Sequence, residues 1–265
     1  MPGTKKTTAE MRAALRLGLS GDGGCVKNGT LSALVRRGLM EKNGDLTTEG
    51  WRNAVASLTL PEQCAHLDLP FEQIEGLQFG NEPERAAWKH YLQQGYEGGY
   101  CEGGPILLII RAAALDLFTK LNSFGSREDA CNRFTEAQLK IHEGRINTIA
   151  SAVEKADHKS VARGFREIYR SLMVQEAYPE LTEAAITAIF AALGGTTLRA
   201  ITEAVAEDPY QYRAGWPDLT LAKGGDMLWV EVKTTDRLHM SQIITMSRMK
   251  PLLPGRLMVL QLTKS

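Results

Sequence analysis

Cysteine is scarce in this sequence, and its spacing argues against a zinc-binding or disulfide-rich protein. The 265 residues include only four cysteines, which lie far apart: Cys25, Cys64, Cys101 and Cys131. None belongs to a C-x-x-C pair or to a cysteine–histidine cluster, so the sequence carries no pattern of a zinc site. Scattered thiols are typical of a reducing compartment, and we therefore expect a cytoplasmic location.

An excess of charge of one sign is also missing. Lysine and arginine together number 31, as do aspartate and glutamate, so the formal net charge is zero. Proteins that coat DNA carry strong positive charge, and this composition argues against that class. It does not argue against a local nucleic-acid site, because clustered acids can offset bases elsewhere and the local field governs binding.

Long apolar segments of the kind that cross membranes are not evident. The apolar run at residues 106–110 is too short to span a bilayer, and residues 1–8 are polar and basic without a signal-peptide core. We therefore expect no membrane association. With 43% hydrophobic residues, the chain can form a sizeable core in one or two domains.

The most informative feature that is present is a spaced trio, Asp218, Glu231 and Lys233. Residues 227–233 predict a strand, residues 218–222 predict another, and the Lys-Gly-Gly-Asp sequence between them predicts a hairpin turn. Side chains alternate along a strand, so Glu231 and Lys233 share one face and Val232 takes the other. The hairpin should bring Asp218 close to Glu231 across the strand pair.

The chemistry of this trio indicates a metal-dependent nuclease. Two neighbouring carboxylates repel one another unless a cation lies between them, and Mg²⁺ binds through one or two carboxylates while keeping water and phosphate ligands. The metal activates a bound water and neutralises phosphate charge. Lys233 would place a fixed positive charge beside the water or the scissile phosphate. The alternative is a solvated strand face with a cross-strand ion pair.

The residues around the trio resemble the VRR-NUC domain, a branch of the PD-(D/E)XK nuclease superfamily. The resemblance rests on Gly-x-Pro-Asp-Leu at 215–219, Val-Glu-Val-Lys at 230–233, Asp-Arg-Leu at 236–238, and Gln242. It implies an α/β, restriction-endonuclease-like mixed-sheet core surrounded by helices, with the core at about residues 181–265. It also implies a Mg²⁺ or Mn²⁺ cofactor and DNA as partner. Gln242 would position the water or a phosphate, and we count Arg237 among the predicted DNA contacts.

The resemblance is closest to the Fanconi-associated nuclease branch, and it extends upstream. That branch has a His-Tyr and Gly-Tyr segment followed by Glu-Gly before an apolar helix, and residues 90–104 followed by 105–118 match this pattern. Glu102 is therefore carried over as the fourth active-site residue. The implied metal ligands are Glu102, Asp218, Glu231 and the backbone carbonyl of Val232.

Several alternatives to Glu102 remain open at this stage. Glu102 could be a surface acid in a glycine-rich loop, and three other acids lie in helical segments that could face the same cleft: Glu136, Glu176 and Glu183. A further set of candidates lies in the predicted helix 158–173, where Arg163, Arg166 and Arg170 follow one side. These arginines form either a track for DNA phosphates or an ordinary solvated face.

The first 60 residues predict a small module of their own, and the helical region and nuclease domain follow at 61–265. Helices are predicted at 7–20, 30–40 and 49–58, in an arrangement that resembles winged-helix modules. Residues 1–58 hold nine basic and five acidic side chains, which suits a DNA-contacting accessory. A helical interaction domain is the alternative. Further helices are predicted at 127–142, 145–155, 158–173, 181–193 and 196–206.

Taken as hypotheses, these patterns predict a metal-dependent DNA nuclease that hydrolyses phosphodiester bonds. One setting is the processing of flaps, junctions or ends in DNA repair or replication, with a repair protein as partner. A second is an antibacterial toxin that acts in the cytoplasm of a target cell and is held in check by an immunity protein. A hypothesis from another class is a non-catalytic DNA-binding or assembly protein built on a nuclease-like fold.

Overall fold

The computed structural model describes residues 7–123 and 125–264, and residues 1–6 of the predicted polar N-terminus lie outside this part. The chain divides into two compact units. The first comprises Met1–Asp68 with Asp236–Ile244, and the second comprises Leu69–Thr235 with Thr245–Ser265. The chain thus leaves the first unit, forms most of the second, and returns to the first for nine residues.

The first unit is built from four short helices. They are α1 (Ala9–Leu19), α2 (Asn28–Arg36), α3 (Thr48–Ala56) and α4 (Leu60–Leu67). Leu15, Leu34, Met40 and Ala54 form its buried core. A single antiparallel bridge joins Met40 to Leu46, where the sequence predicted a small wing.

The predicted helix at 30–40 ends earlier than expected, at Arg36. Gly38 has a φ of 66°, in the left-handed region that glycine adopts at little cost. The N–H of Leu39 donates to the carbonyl of Leu34 at 3.0 Å, and the N–H of Gly38 donates to Val35 at 2.9 Å. These bonds satisfy the last carbonyls of α2 and stop the helix, as glycine commonly does at this position.

The second unit contains a five-stranded mixed sheet in the order β1-β5-β4-β3-β2. The strands are β1 (Phe71–Glu75), β2 (Glu97–Gly99), β3 (Leu219–Lys223), β4 (Asp226–Lys233) and β5 (Arg256–Thr263). The β2–β3 and β3–β4 pairs are antiparallel, whereas β4–β5 and β1–β5 are parallel. The strands β3 and β4 were predicted from the sequence. β1 and β2 were not, because both are short edge strands that carry acids or glycine rather than an alternating apolar pattern.

Further helices belong to the second unit with this sheet, and the last of them begins in the first unit. They are α5 (Pro83–Gln93), α6 (Gly104–Ala113), α7 (Leu115–Leu121), α8 (Arg127–Asn132), α9 (Thr135–Ile141), α10 (Ile146–Lys155), α11 (His158–Ile168), α12 (Leu172–Ala177), α13 (Glu183–Glu207) and α14 (Met240–Met249). Three predicted helices are interrupted: the apolar one after 105 breaks at Ala114, 127–142 breaks at Arg133, and 158–173 ends at Ile168. Such breaks depend on tertiary packing, which periodicity does not report.

The longest helix, α13, consists of two segments, in agreement with the separate helices predicted at 181–193 and 196–206. Gly194 has φ 70° and ψ 162°, which is not helical. By length and composition alone, Glu183–Glu207 is also the one helix among the described residues that could cross a membrane. Its apolar side chains instead pack inside the second unit, where α13 contacts α10, α11, β2 and β3.

The two faces of the sheet have different roles. Leu219, Leu221, Val230 and Val232 lie on one face, in a core that also contains Trp88 of α5. The alternate residues of the β3–β4 hairpin, Thr220, Trp229, Glu231 and Lys233, are buried on the opposite face. The hairpin therefore contributes apolar side chains to one side and polar ones to the other, which places its charged residues inside the protein.

One prediction concerns the close contact between α3 and the end of α2. A Cβ added at Gly50 would lie 1.7 Å from the carbonyl oxygen of Leu39, which is rigid backbone. We expect Gly50→Ala to lower the free energy of unfolding by at least about 1–3 kcal/mol, the usual cost of overpacking. The control is Gly29→Ala in α2, where no atom lies within 4 Å, and which should leave stability unchanged or raise it. Urea denaturation of both variants checks this, and equal midpoints would contradict the contact.

Candidate active site

The β3–β4 hairpin sets the geometry of the site. Its turn contains Gly224 at φ 59° and Gly225 at φ 93°, two consecutive left-handed residues that suit a two-residue hairpin turn. Leu219 pairs with Val230, so Asp218, one residue before β3, lies next to the pairing position of Glu231. The Asp218 carboxylate turns back onto β4, where its Oδ2 accepts a hydrogen bond of 2.8 Å from the N–H of Val232.

All three members of the trio are buried. Relative exposure is 9% for Asp218, 0% for Glu231 and 6% for Lys233, which makes a solvated strand face the wrong description. The Nζ of Lys233 lies 2.6 Å from Oε1 of Glu231. This ion pair joins two residues of β4, so it is not the cross-strand pair of the alternative, and it is buried beside a second buried carboxylate.

The pKa values of the two acids show how unfavourable their charges are here. Burial raises the pKa of Asp218 to about 7, against the opposing effects of the Val232 N–H and Lys233. Burial, and then the charge of Asp218, raise the pKa of Glu231 well above its usual value, although Lys233 opposes this. Two buried acids thus share one neighbouring lysine, and a further cation would relieve the repulsion.

Glu102 lies in the loop before α6 and interacts electrostatically with the same two acids. It adopts a left-handed backbone with φ 47°, which is uncommon for a residue other than glycine. Although the residue as a whole is exposed, its carboxyl group accepts a hydrogen bond from the backbone of Gly215, and desolvation raises its pKa. Its charge in turn raises the pKa of both Asp218 and Glu231.

Two close contacts hold the Glu102 loop, one against the segment that carries Asp218 and one against Tyr178 at the end of α12. A Cβ on Gly103 would lie 2.4 Å from the Trp216 ring, and one on Gly104 would lie 2.4 Å from the Tyr178 ring. Trp216 is 1% exposed and donates from its indole Nε1 to the carbonyl of Tyr212 at 2.7 Å. The Gly-Gly pair after Glu102 therefore allows the loop to approach the Gly-Trp-Pro-Asp segment.

The three rival glutamates lie in other surroundings. Glu136 is buried near Arg213, with 3.9 Å between charged atoms. Glu183 pairs with Arg166 at 2.7 Å, and Glu176 is exposed on α12. The charge that sequence reasoning missed is Glu84, in the first turn of α5, which raises the pKa of Asp218 and of Glu102. An acid at a helix N-terminus is so common that nothing in the sequence distinguished it.

The metal ligand set predicted from the sequence stays a prediction. Among the described residues, no three His, Cys, Asp or Glu side chains come together in a group able to hold a metal ion. The buried, mutually repelling carboxylates of Asp218 and Glu231 nevertheless fit a hard divalent cation, which needs only one or two carboxylates from the protein. Glu102 does not belong to a direct three-carboxylate group with them.

Gln242 and Arg237 both lie in the first unit. Oε1 of Gln242 accepts from the N–H of His239 at 2.8 Å at the start of α14. The Arg237 guanidinium donates to the carbonyls of Ser57 and Leu58, at 3.3 Å each, where α3 ends. These contacts give both side chains a structural role in the first unit, and their roles in chemistry or DNA binding stay predictions.

The three arginines do not form one helical track, because α11 ends at Ile168 and Arg170 lies beyond it. Arg163 pairs with Asp116 at 2.8 Å, and Arg166 pairs with Glu183 at 2.7 Å. Two of the three charges are thus compensated by acids. Their assignment as phosphate contacts stays a prediction.

Comparison with known proteins shows which solved structures share this fold. No family model matches the sequence, and no curated protein does. The solved structures that match include paFAN1 bound to 5′-flap DNA with a 2-nucleotide flap and a gap, and paFAN1 bound to 5′-flap DNA with a 1-nucleotide flap and a gap. The chain has the fold of paFAN1. The TM-scores are 0.54 and 0.53, at 19% and 20% sequence identity.

The paFAN1 match extends along almost the whole chain. It covers 97% of this chain and 49% of each paFAN1 chain, so this protein spans about half their length. The restriction-endonuclease-like α/β fold predicted from the motifs is confirmed, as is the predicted similarity to the Fanconi-associated nuclease branch at the level of the fold. The match includes the first unit as well as the sheet, because so little of the chain is left out.

The raised pKa of Asp218 predicts a stability that depends on pH. Its folded-state value of about 7 exceeds the ordinary value of 3.8, so the folded protein binds this proton more tightly than the unfolded chain. The resulting stabilisation is complete below the unfolded value and is lost as pH rises through about 7. We expect metal-free protein to lose up to roughly 4 kcal/mol of stability from this group across that window.

The measurement is urea denaturation between pH 5 and pH 8 in the presence of a chelator. Asp218→Asn cannot titrate, so its stability should change less over this range than that of the wild type. Identical pH profiles for the two proteins would show that Asp218 ionises normally. Asp226→Asn, at the exposed turn of the same hairpin, is the matched control and should follow the wild-type profile.

A second prediction tests how Glu102 is positioned. Gly103→Ala forces its new methyl group into the buried Trp216 ring, and we expect a loss of about 1–3 kcal/mol in stability. The near-ultraviolet circular dichroism of the tryptophans should also change, because Trp216 must move. Gly144→Ala has open space around the added atom and serves as the control. An unchanged spectrum and midpoint for Gly103→Ala would contradict the packing described.

Proposed function

We propose that the protein is a metal-dependent DNA nuclease that prefers branched DNA such as 5′ flaps, with a role in DNA repair or replication. The observation that carries this proposal is the buried trio of Asp218, Glu231 and Lys233 on a fold shared with paFAN1. The paFAN1 structures are bound to 5′-flap DNA, which favours a flap as the substrate to test first. A buried arrangement of two acids and a lysine has no structural advantage that would explain it otherwise, since burying charge is costly.

In this proposal Asp218 and Glu231 would hold Mg²⁺ or Mn²⁺ with the Val232 carbonyl, and Glu102 would support the site from its own loop. When bound, the metal lowers the pKa of a water ligand and neutralises charge on the phosphate. Two features of the chain fix the orientation of the carboxyl groups for this role. The Val232 N–H fixes one oxygen of Asp218, and the left-handed loop at Glu102 points its carboxyl toward Gly215.

Lys233 has a separate task. It is held at 2.6 Å from Glu231 and is 6% exposed, so its ammonium group needs no reorganisation to act as a fixed charge. A preorganised charge of this kind stabilises negative charge that develops on the phosphate during attack by water. Lys233 therefore serves transition-state stabilisation more than substrate affinity, which is spread over many phosphate contacts.

Lys233→Ala tests the proposed chemistry directly. On a 5′-flap substrate with Mn²⁺, the cutting rate should fall by about 10²–10³, the usual cost of losing one such contact. Gel-shift affinity for the same DNA should change far less, because the variant keeps its other phosphate contacts. Asp218→Asn should also bind without cutting. Purified proteins and a panel of duplex, flap and junction DNAs provide the measurement.

The matched control is Lys223→Ala, at the opposite end of the same hairpin. Lys223 lies at the turn end of the hairpin, where it donates to the carbonyl of Gln94 and lies 5.5 Å from the Tyr96 ring. It should cut like the wild type. If Lys233→Ala also cuts at the wild-type rate, the trio is a buried structural pair. If the wild type binds DNA but never cuts, the non-catalytic alternative replaces the proposal.

A further inference from the structure

A pocket opens in the second unit where β4 and β5 end. Its volume is about 590 Å³, within the range of ordinary small-ligand sites. Most of its lining surface is apolar, and the residues that matter for its chemistry are Phe79, Pro83, Thr234, Thr235, Leu262 and Lys264. None of the described lining residues is an aspartate or glutamate. The pocket therefore offers apolar surface without the negative charge that would repel a phosphate.

The pocket pairs an aromatic ring with a cation. Phe79 is partly buried and packs against the sheet core, which fixes its ring. The Nζ of Lys264 lies 5.6 Å from the centre of that ring, and the Lys264 side chain is otherwise exposed. A ring for a base and an ammonium group for a phosphate are the two components with which proteins hold an unstacked nucleotide.

Two chain segments connect the pocket to the candidate active site. Thr234 directly follows Lys233, and its carbonyl accepts a hydrogen bond of 2.8 Å from Nε2 of Gln261. Pro83 directly precedes Glu84, the acid whose charge reaches Asp218 and Glu102. A DNA strand with its scissile phosphate at Lys233 thus has this pocket within reach of a neighbouring nucleotide.

We infer that the pocket receives the base of an unpaired nucleotide flanking the scissile phosphate, which stacks on Phe79 while Lys264 contacts a backbone phosphate. This inference rests on the proposed nuclease function, and it adds a specificity site to it. A base in a duplex is stacked on both sides and cannot enter such a pocket, whereas a flap base can. Thr234 and Thr235 offer hydroxyl groups at its rim, so the edge of the base can form hydrogen bonds as well.

The first experiment is an abasic scan. The full-length protein cuts 5′-flap DNAs in which one nucleotide at a time near the junction lacks its base. We expect one position at which the missing base slows wild-type cutting by about 5- to 100-fold, as loss of one stacked base does. Phe79→Leu should show the same loss on intact DNA and no further loss on the abasic DNA, because the two changes remove one contact.

The matched control is Tyr210→Leu. Tyr210 is also an aromatic residue with a cation beside it, since Arg213 lies 5.7 Å from its ring, but it does not line this pocket. It should cut intact DNA like the wild type and keep the abasic effect. Urea denaturation of Phe79→Leu gives its folded fraction. Lys264→Gln provides a second variant that keeps the ring, and it should weaken binding and lessen its dependence on salt.

The second experiment measures stacking of a base in the pocket without cleavage of the DNA. 2-Aminopurine placed at each junction position loses fluorescence when it stacks, and Lys233→Ala protein can bind it without cleavage. Quenching should occur at the position that the abasic scan identifies and should disappear in the double variant with Phe79→Leu.

The two experiments separate the pocket from the nuclease proposal. Two results would overturn the pocket inference while the nuclease proposal stands. In the first, the wild type cuts, but removing the base at any single position leaves the cutting rate unchanged. In the second, Phe79→Leu slows the cutting of abasic DNA as much as it slows the cutting of intact DNA. If nothing cuts but Phe79-dependent quenching is seen, the nucleotide pocket stands and the nuclease proposal fails. If nothing cuts and no position is quenched, both fail.

Discussion

The burial of two carboxylates side by side is the constraint on which the site depends. Asp218 and Glu231 lose their hydration in the β3–β4 hairpin, and the charge of Asp218 makes ionisation of Glu231 harder. The fold tolerates this because Lys233 lies 2.6 Å from Glu231 and the Val232 N–H binds Asp218. These two contacts offset part of the desolvation. A bound cation, with a phosphate beside it, would offset the remaining cost of burying the two carboxylates.

Packing between distant segments brings a third acid to the site. Glu102 lies 116 positions before Asp218, and no local pattern can bring them together. Packing does so instead, since Gly103 lies against the Trp216 ring and Gly215 binds the Glu102 carboxyl. The left-handed backbone at Glu102 costs free energy and persists only because these contacts hold it. Backbone strain of this kind is a common feature of functional sites.

The path of the chain after Lys233 gives the first unit a direct covalent link to the site. Two residues after Lys233 end the second unit, and Asp236–Ile244 belongs to the first. There the fully buried Gln63 donates to the carbonyl of Leu238 and accepts from its N–H, at 3.3 and 2.8 Å. The strand that carries Glu231 and Lys233 is thus continuous with a segment that the first unit fixes.

The sequence alone determined the features whose physical cause is local. Alternating apolar residues and two adjacent glycines specify the β3–β4 hairpin, and with it the shared face of Glu231 and Lys233 and the proximity of Asp218. The Leu-Gly-Gly sequence likewise fixed the kink at Gly194. The tertiary structure alone decided the features that depend on contacts between distant segments. It added the edge strands β1 and β2, broke three predicted helices, left Arg170 outside α11, and brought Glu84 into the electrostatic field of the site. None of these has a local signature, because each results from packing between segments far apart in the chain.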